Sequence, residues 1–189
     1  MIKLLTVETD LSKFKTTCTY YAGPKWKIGT WYLINNFVFD SAIPWPNQFK
    51  IFLLRLFGAT IGANVVIKPN VRIKHAWRLK IGDNSWLGEG TWIENLAEVE
   101  LGKNVCISQN GMLLTGNHNY TASDFIYRLG KIKLEDGVWI GAYSVVCPGV
   151  VCQSHSVLTV NSVASKNMEP WKVYSGNPAI SVRNRTMVF

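Results

Sequence analysis

The sequence predicts an all-β solenoid, a parallel β-helix of about five coils, and three observations support this. An aliphatic residue returns every six positions, at Ile61, Ile67 and Ile73, at Ile81, Leu87 and Ile93, at Leu101, Ile107 and Leu113, and again from Leu134 through Ile140, Val146, Cys152, Leu158 and Ala164. Four residues beyond most of these stands a small or β-branched residue, as at Val65, Val71, Ser85, Thr91, Ala97, Val105, Ser144, Val150, Ser156 and Ser162. Gly and Asn punctuate the repeat in Gly62-Ala63-Asn64, Gly82-Asp83-Asn84 and Gly102-Lys103-Asn104, residues suited to left-handed turns. An α-helix cannot use this period, because 3.6 residues per turn carries the sixth position steadily around the axis. A short strand and a two-residue turn can use it, and three such sides close a coil of roughly 18 residues that stacks at about 4.8 Å.

In chain order, residues 1–58 come first and differ in kind. Trp26, Trp31, Tyr32, Phe37, Phe39, Trp45, Phe49, Phe52 and Phe57 crowd a stretch punctuated by Pro44 and Pro46. From Asn47 to Phe57 the apolar Phe49, Phe52, Leu53 and Leu56 keep helical spacing, which predicts a helix closing the open end of the prism. A second reading is an amphipathic surface that meets a membrane from its cytoplasmic side. The β-helix then runs over 59–169. Ile73 to Ile81 and Ile93 to Leu101 are eight residues apart instead of six. Both additions follow the third side of a coil, so they stack at one corner, and the third coil should break there too. A long insertion at about 116–133 does so, as an extruded loop. Residues 170–189 read as a C-terminal tail.

Composition narrows the function. The chain has 189 residues, 48% of them hydrophobic and 17% charged, too apolar for disorder and long enough for a sizeable core. The net charge of +8 is spread along the sequence, which suits an anionic ligand better than a nucleic acid. No apolar run approaches the roughly 20 residues of a membrane span, and Met1 to Asp10 does not read as a secretory signal, so the expected compartment is the cytoplasm. Cys18, Cys106, Cys147 and Cys152 form no metal-ligand motif and are expected to be reduced packing residues, with no metal. His75, His118 and His155 fall at repeat positions incompatible with a three-histidine metal site.

The extruded loop opens with Thr115-Gly116-Asn117-His118-Asn119-Tyr120, a histidine in a Gly-flanked polar loop on a rigid frame. Glu89, Glu94 and Asn95 lie one coil earlier and are expected near the same corner. The C-terminal half contains Val138-Trp139-Ile140-Gly141-Ala142, Pro148-Gly149-Val150-Val151, Ser165-Lys166-Asn167-Met168-Glu169-Pro170-Trp171 and Tyr174-Ser175-Gly176-Asn177-Pro178-Ala179. This series resembles the acetyl-CoA side of the bacterial hexapeptide-repeat sugar O-acetyltransferases. Leu56-Phe57-Gly58-Ala59-Thr60-Ile61-Gly62, the run from Ile81 to Gly90, Cys106-Ile107-Ser108-Gln109 and Gly116-Asn117-His118 are similar to the colanic-acid and exopolysaccharide group of that family over nearly the whole chain.

The resemblance implies a left-handed helix, a closed homotrimer and acetyl-CoA as co-substrate. It implies His118 as the general base for a sugar hydroxyl; by their place near the same corner, Glu89, Asn95, Asn117 and Asp124 are expected toward the acceptor. Asp124, a backbone carbonyl or a neighbouring chain could hold the second ring nitrogen. Trp139, Gly141, Ala142, Val160, Ser165, Gly176 and Pro178 are expected along the pantetheine arm, with Lys166, Arg183 and Arg185 at the CoA phosphates. The acceptor could be free, nucleotide-linked or lipid-linked. Serine or amino-sugar acylation, or a non-catalytic scaffold, stay open as alternatives.

Overall fold

The computed structural model describes residues 7–15 and 20–188; the expectation for Cys18 lies outside them. Three parallel sheets wrap into a prism of five complete coils. Face one holds Thr60–Ile61, Leu79–Ile81, Val99–Leu101, Ile132–Leu134 and Val151–Cys152; face three holds Arg72–Ile73, Trp92–Glu94, Met112–Leu114, Val145–Val146 and Val163–Ala164. Face two holds Val66–Ile67, Trp86–Leu87, Cys106–Ile107, Trp139–Ile140 and Val157–Leu158. The pairing register stacks the predicted aliphatic positions on one another, Ile67 on Leu87 on Ile107 on Ile140 on Leu158, all inside the core.

The second inward series is buried as well, with polar members that bond the frame. Ser85 Oγ donates to the Gly102 carbonyl at 2.8 Å and accepts from Val105 N at 3.0 Å. Ala97 departs from the series and is half-buried, because the two extra residues at its corner let Val99 take the inward place. In the turns it is Asn64, Asn84 and Asn104 that adopt the left-handed conformation. The preceding glycines serve another purpose: a Cβ on Gly82 would stand 2.6 Å from the Gly102 carbonyl carbon of the next coil.

The first coil exposes three strand edges, and the N-terminal segment caps each with side chains. Helix α1 (Lys25–Ile34) runs into a π-turn at Asn35–Phe39, and α2 spans Asn47–Leu56. Arg55 donates to the Ile61 carbonyl. Asn47 accepts from Ile67 N and donates to Val65 O, and the buried Lys50 ammonium donates to Ile67 O. Asn35 accepts from Ile73 N while the Trp31 indole donates to Ile73 O at 2.8 Å. Unpaired edge groups thus acquire partners, and Trp31, Phe39, Ile51 and Leu54 close the core beneath. The predicted helix is present; α1 lay hidden in the aromatic crowding, because its apolar residues point both inward and outward.

The C-terminal residues read as a tail form an antiparallel hairpin, Lys172–Gly176 with Ala179–Asn184, that extends face two. Val173 and Tyr174 supply its reason, since both side chains are buried against the last coil.

Candidate active site

The loop leaves the face three to face one corner through a fixed root. Thr115 is buried; its hydroxyl donates to the Glu94 carbonyl and accepts from Ala97 N, both at 2.9 Å, and its carbonyl accepts from Gly130 N. Between these anchors Gly116–His118 pairs antiparallel with Tyr127–Leu129, His118 opposite Tyr127. Phe125, with φ of +50°, turns its carbonyl toward His118 Nδ1 at 2.6 Å. The ring lies flat on Phe125 at 4.3 Å and is flanked by Tyr127 at 4.7 Å and Phe14 at 5.6 Å. A carbonyl can only accept, so Nδ1 carries the proton and neutral His118 presents Nε2 as a lone pair. Of the open alternatives for the orienting group, the backbone carbonyl is the one in contact.

Phe14, Phe125 and Tyr127 carry no local sequence signal for this position beside His118. Residues 7–15 cross to the loop, where Asp10 N donates to the Ser123 carbonyl at 2.8 Å. Only the tertiary path brings Phe14 there; Phe125 and Tyr127 sit near enough in sequence, with Phe125 seven residues from His118 across a hairpin whose register was not visible. Asn119 accepts from the Thr121 hydroxyl and braces the loop. Asp124 is half-buried, with Oδ1 buried and without a hydrogen-bond partner among the described residues.

The acceptor-side expectations divide. Asn117 is exposed beside His118, and its Oδ1 accepts from His118 N. Glu94 ends a strand at the loop root, paired with Lys74 and accepting from the Trp92 indole. Glu89 is exposed but belongs to the face two to face three corner, one side of the prism away, because it falls in the turn between Leu87 and Thr91. Asn95 is 0% exposed, and its amide is used at both ends by the His75 backbone, accepting from N and donating to O. It braces two coils and has no group to offer an acceptor.

His75 is also interior, 4% exposed, stacked on Trp77 and bonded through Nε2 to the Tyr20 hydroxyl. Burial pushes its pKa down from 6.5 to about 4. The unfolded chain therefore binds the extra proton between pH 6.5 and about 4 and the folded chain does not, so stability falls as the pH drops through that window, by up to about 3 kcal/mol. His75→Gln should lose less melting temperature between pH 7 and pH 4.5 than the wild type; an equal loss in both would assign the acid sensitivity to other groups.

The expected cofactor residues lie mostly along the face two to face three corner. Trp139 is 46% exposed and donates to Ser108 Oγ at 2.9 Å. The Ala142 carbonyl accepts from Asn161 N, and Gly176 N donates to Ser162 Oγ, so Ala142, Val160 and Gly176 form a row parallel to the axis. Pro178, in the hairpin turn, is exposed beyond it. Gly141, expected on this row, is instead buried between coils: a Cβ there would meet Val160 N at 2.6 Å, and its amide already donates to Leu158 O. Its smallness admits the chain's own next coil. Ser165 and Lys166 are exposed at the loop's corner, two coils on, and Arg183 is exposed on the outer hairpin strand. Arg185 is half-buried, its guanidinium donating to Gly137 O at 2.8 Å and His155 O at 3.1 Å. Buried Cys152 has its thiol pushed up to about 12, which makes it inert packing.

A β-solenoid with an oriented histidine on an extruded loop and an exposed row along its length defines the class of hexapeptide-repeat acyltransferases. No protein-family model matches the chain. It is 33% identical over 93% of its length, and 97% of the relative's, to a protein named colanic acid biosynthesis acetyltransferase WcaF of Escherichia coli. The galactoside O-acetyltransferase of E. coli is 28% identical over 77% of this chain and 73% of its own. The solved hexapeptide-repeat acetyltransferase of Vibrio cholerae complexed with acetyl coenzyme A shares the fold at a TM-score of 0.74, covering 86% and 87% of the two chains at 23% identity. The chain belongs to the colanic-acid biosynthesis group of hexapeptide-repeat acetyltransferases.

Proposed function

We propose that this acetyltransferase moves an acetyl group from acetyl-CoA to a hydroxyl of a saccharide in exopolysaccharide biosynthesis, with His118 as general base. The observation that carries the reading is the Phe125 carbonyl on His118 Nδ1, which leaves Nε2 to accept a proton. As the sugar oxygen attacks the thioester carbonyl, its proton passes to Nε2. The tetrahedral intermediate collapses, the carbon–sulfur bond breaks, and the imidazolium returns the proton to the departing thiolate. No enzyme-bound acyl group forms. Asn117 and Asp124 on the loop and Glu94 at its root are the candidates for holding the acceptor. The names of the relatives support a sugar hydroxyl as the target.

Within one chain His118 and the Ala142–Gly176 row occupy different corners, with face three between them. A closed homotrimer, which sets the loop of one chain against the row of the next, joins them into one site. Lys166 and Arg183 are exposed and suited to the CoA phosphates, whereas Arg185 holds the last coil's turns. Lys166→Ala and Arg183→Ala are each expected to raise the Kd for acetyl-CoA by about tenfold or more through lost charge-assisted contacts, and Arg185→Ala to lower the melting temperature instead. Titration calorimetry and thermal melts separate the two; unchanged affinity in both of the first variants removes the phosphate assignment. Thiol release from acetyl-CoA across a panel of saccharides tests the activity itself, and release with serine or an amino sugar alone would overturn the hydroxyl-sugar reading.

A further inference from the structure

The end of the prism carries a surface that acetyl transfer does not use. Helix α1 and its π-turn cover the free edge of Arg72–Ile73, and α2 covers the free edges of Thr60–Ile61 and Val66–Ile67, so the opposite faces of both point away from the coils. Along α1 and its extension the outward stripe is Trp26, Leu33 and Phe37, with Trp26 and Phe37 each 70% exposed. Along α2 it is Phe52 and Leu56, 58% and 64% exposed. Trp45 links the two, its indole donating to the Phe37 carbonyl at 3.0 Å and its ring packing on Phe49 at 5.6 Å. Helices that faced only water would carry polar residues on these stripes.

The charge around the surface has one sign. From residue 20 to residue 80 there are nine Lys/Arg and one acid, Asp40, and that acid is paired with Arg72 at 2.8 Å. Lys25, Arg55 and Lys68 are exposed on or beside the two helices.

We propose that this end face seats on the surface of an anionic lipid bilayer, its aromatic stripes entering the headgroup region and its cations meeting lipid phosphates. Charge decides between a bilayer and a second copy of the chain. Two such faces docked together would bring two sets of cations into one interface whose residues 20–80 offer only Asp40, already paired with Arg72, whereas anionic lipid supplies the missing sign. No helix among the described residues is long and apolar enough to cross a membrane, which keeps the contact at the interface.

Vesicle sedimentation of the purified full chain tests this. The wild type is expected to sediment with vesicles of phosphatidylcholine mixed with phosphatidylglycerol, to stay in solution with phosphatidylcholine alone, and to be released by salt. The double variant Phe37→Ser with Phe52→Ser should bind the mixed vesicles about tenfold or more weakly, because two apolar rings leave the interface. Its melting temperature should stay close to wild type, since both rings are already more than half exposed. Three results would overturn the proposal: no binding of the wild type to the mixed vesicles, equal binding by the double variant, or lipid-free self-association of the wild type that the double variant abolishes. The last would make the face a contact between copies.

Discussion

His118→Ala is expected to lower turnover of acetyl transfer by about 10²- to 10⁴-fold, the range typical for loss of a general base. The loss should fall on kcat, because the proton moves only on the way to the transition state, while the affinity for acetyl-CoA stays near wild type. The fold should survive. The ring is half-buried on a hairpin outside the prism, and its contacts with Phe14, Phe125 and Tyr127 belong to the loop and its strap rather than to the stacked core. Thiol release measured on folded variant checks this, and a rate within a few-fold of wild type would send the search for the base elsewhere. His75 would be a poor successor, since it is interior and held neutral by burial.

The second large effect concerns stability. Gly141→Ala places a Cβ within 2.6 Å of Val160 N, 2.7 Å of the Thr159 carbonyl carbon and 2.8 Å of Leu158 O, all of them backbone. No side chain can rotate away to relieve this, so coils four and five must part. The expected cost is at the upper end of the about 1–3 kcal/mol of overpacking or beyond it, a fall of roughly 6–12 °C in melting temperature at the upper end for a chain of this size. If Gly141 served only an approaching pantetheine arm, the variant would melt like the wild type and lose acetyl-CoA affinity alone. Calorimetric melting without ligand distinguishes the two.

These two residues also mark what was legible in the sequence. The solenoid was, because a period of six can be satisfied only by short strands and turns, and each inward residue reports its own coil. The corner that extrudes the loop followed from the two eight-residue intervals. Positions within a coil are less legible where a turn residue can serve two masters: Gly141 looks the same in sequence whether it admits a ligand or the next coil. Asn95 reads the same in sequence whether its amide serves an acceptor or the next coil, and only the pairing of coils reveals that it closes on His75. The strap at Phe14 was invisible, since nothing local in residues 7–15 says that they return to a loop a hundred residues later. The Phe125 carbonyl was invisible for a related reason: a backbone acceptor carries no side-chain signature, and its aim depends on the left-handed turn at Phe125.

We propose that one active site is built from two chains, the His118 loop of one and the Ala142–Gly176 row of the next. Ala142→Glu should disable the row, and His118→Ala the loop, each leaving little activity as a homogeneous assembly. Co-expressed in equal amounts, the two should recover about a quarter of wild-type activity, because three-quarters of randomly assembled rings are mixed and each mixed ring regains one intact site of three. Recovery near that level is the predicted result; mixed assemblies with no more activity than the separate variants would contradict the shared site and confine both halves to a single chain.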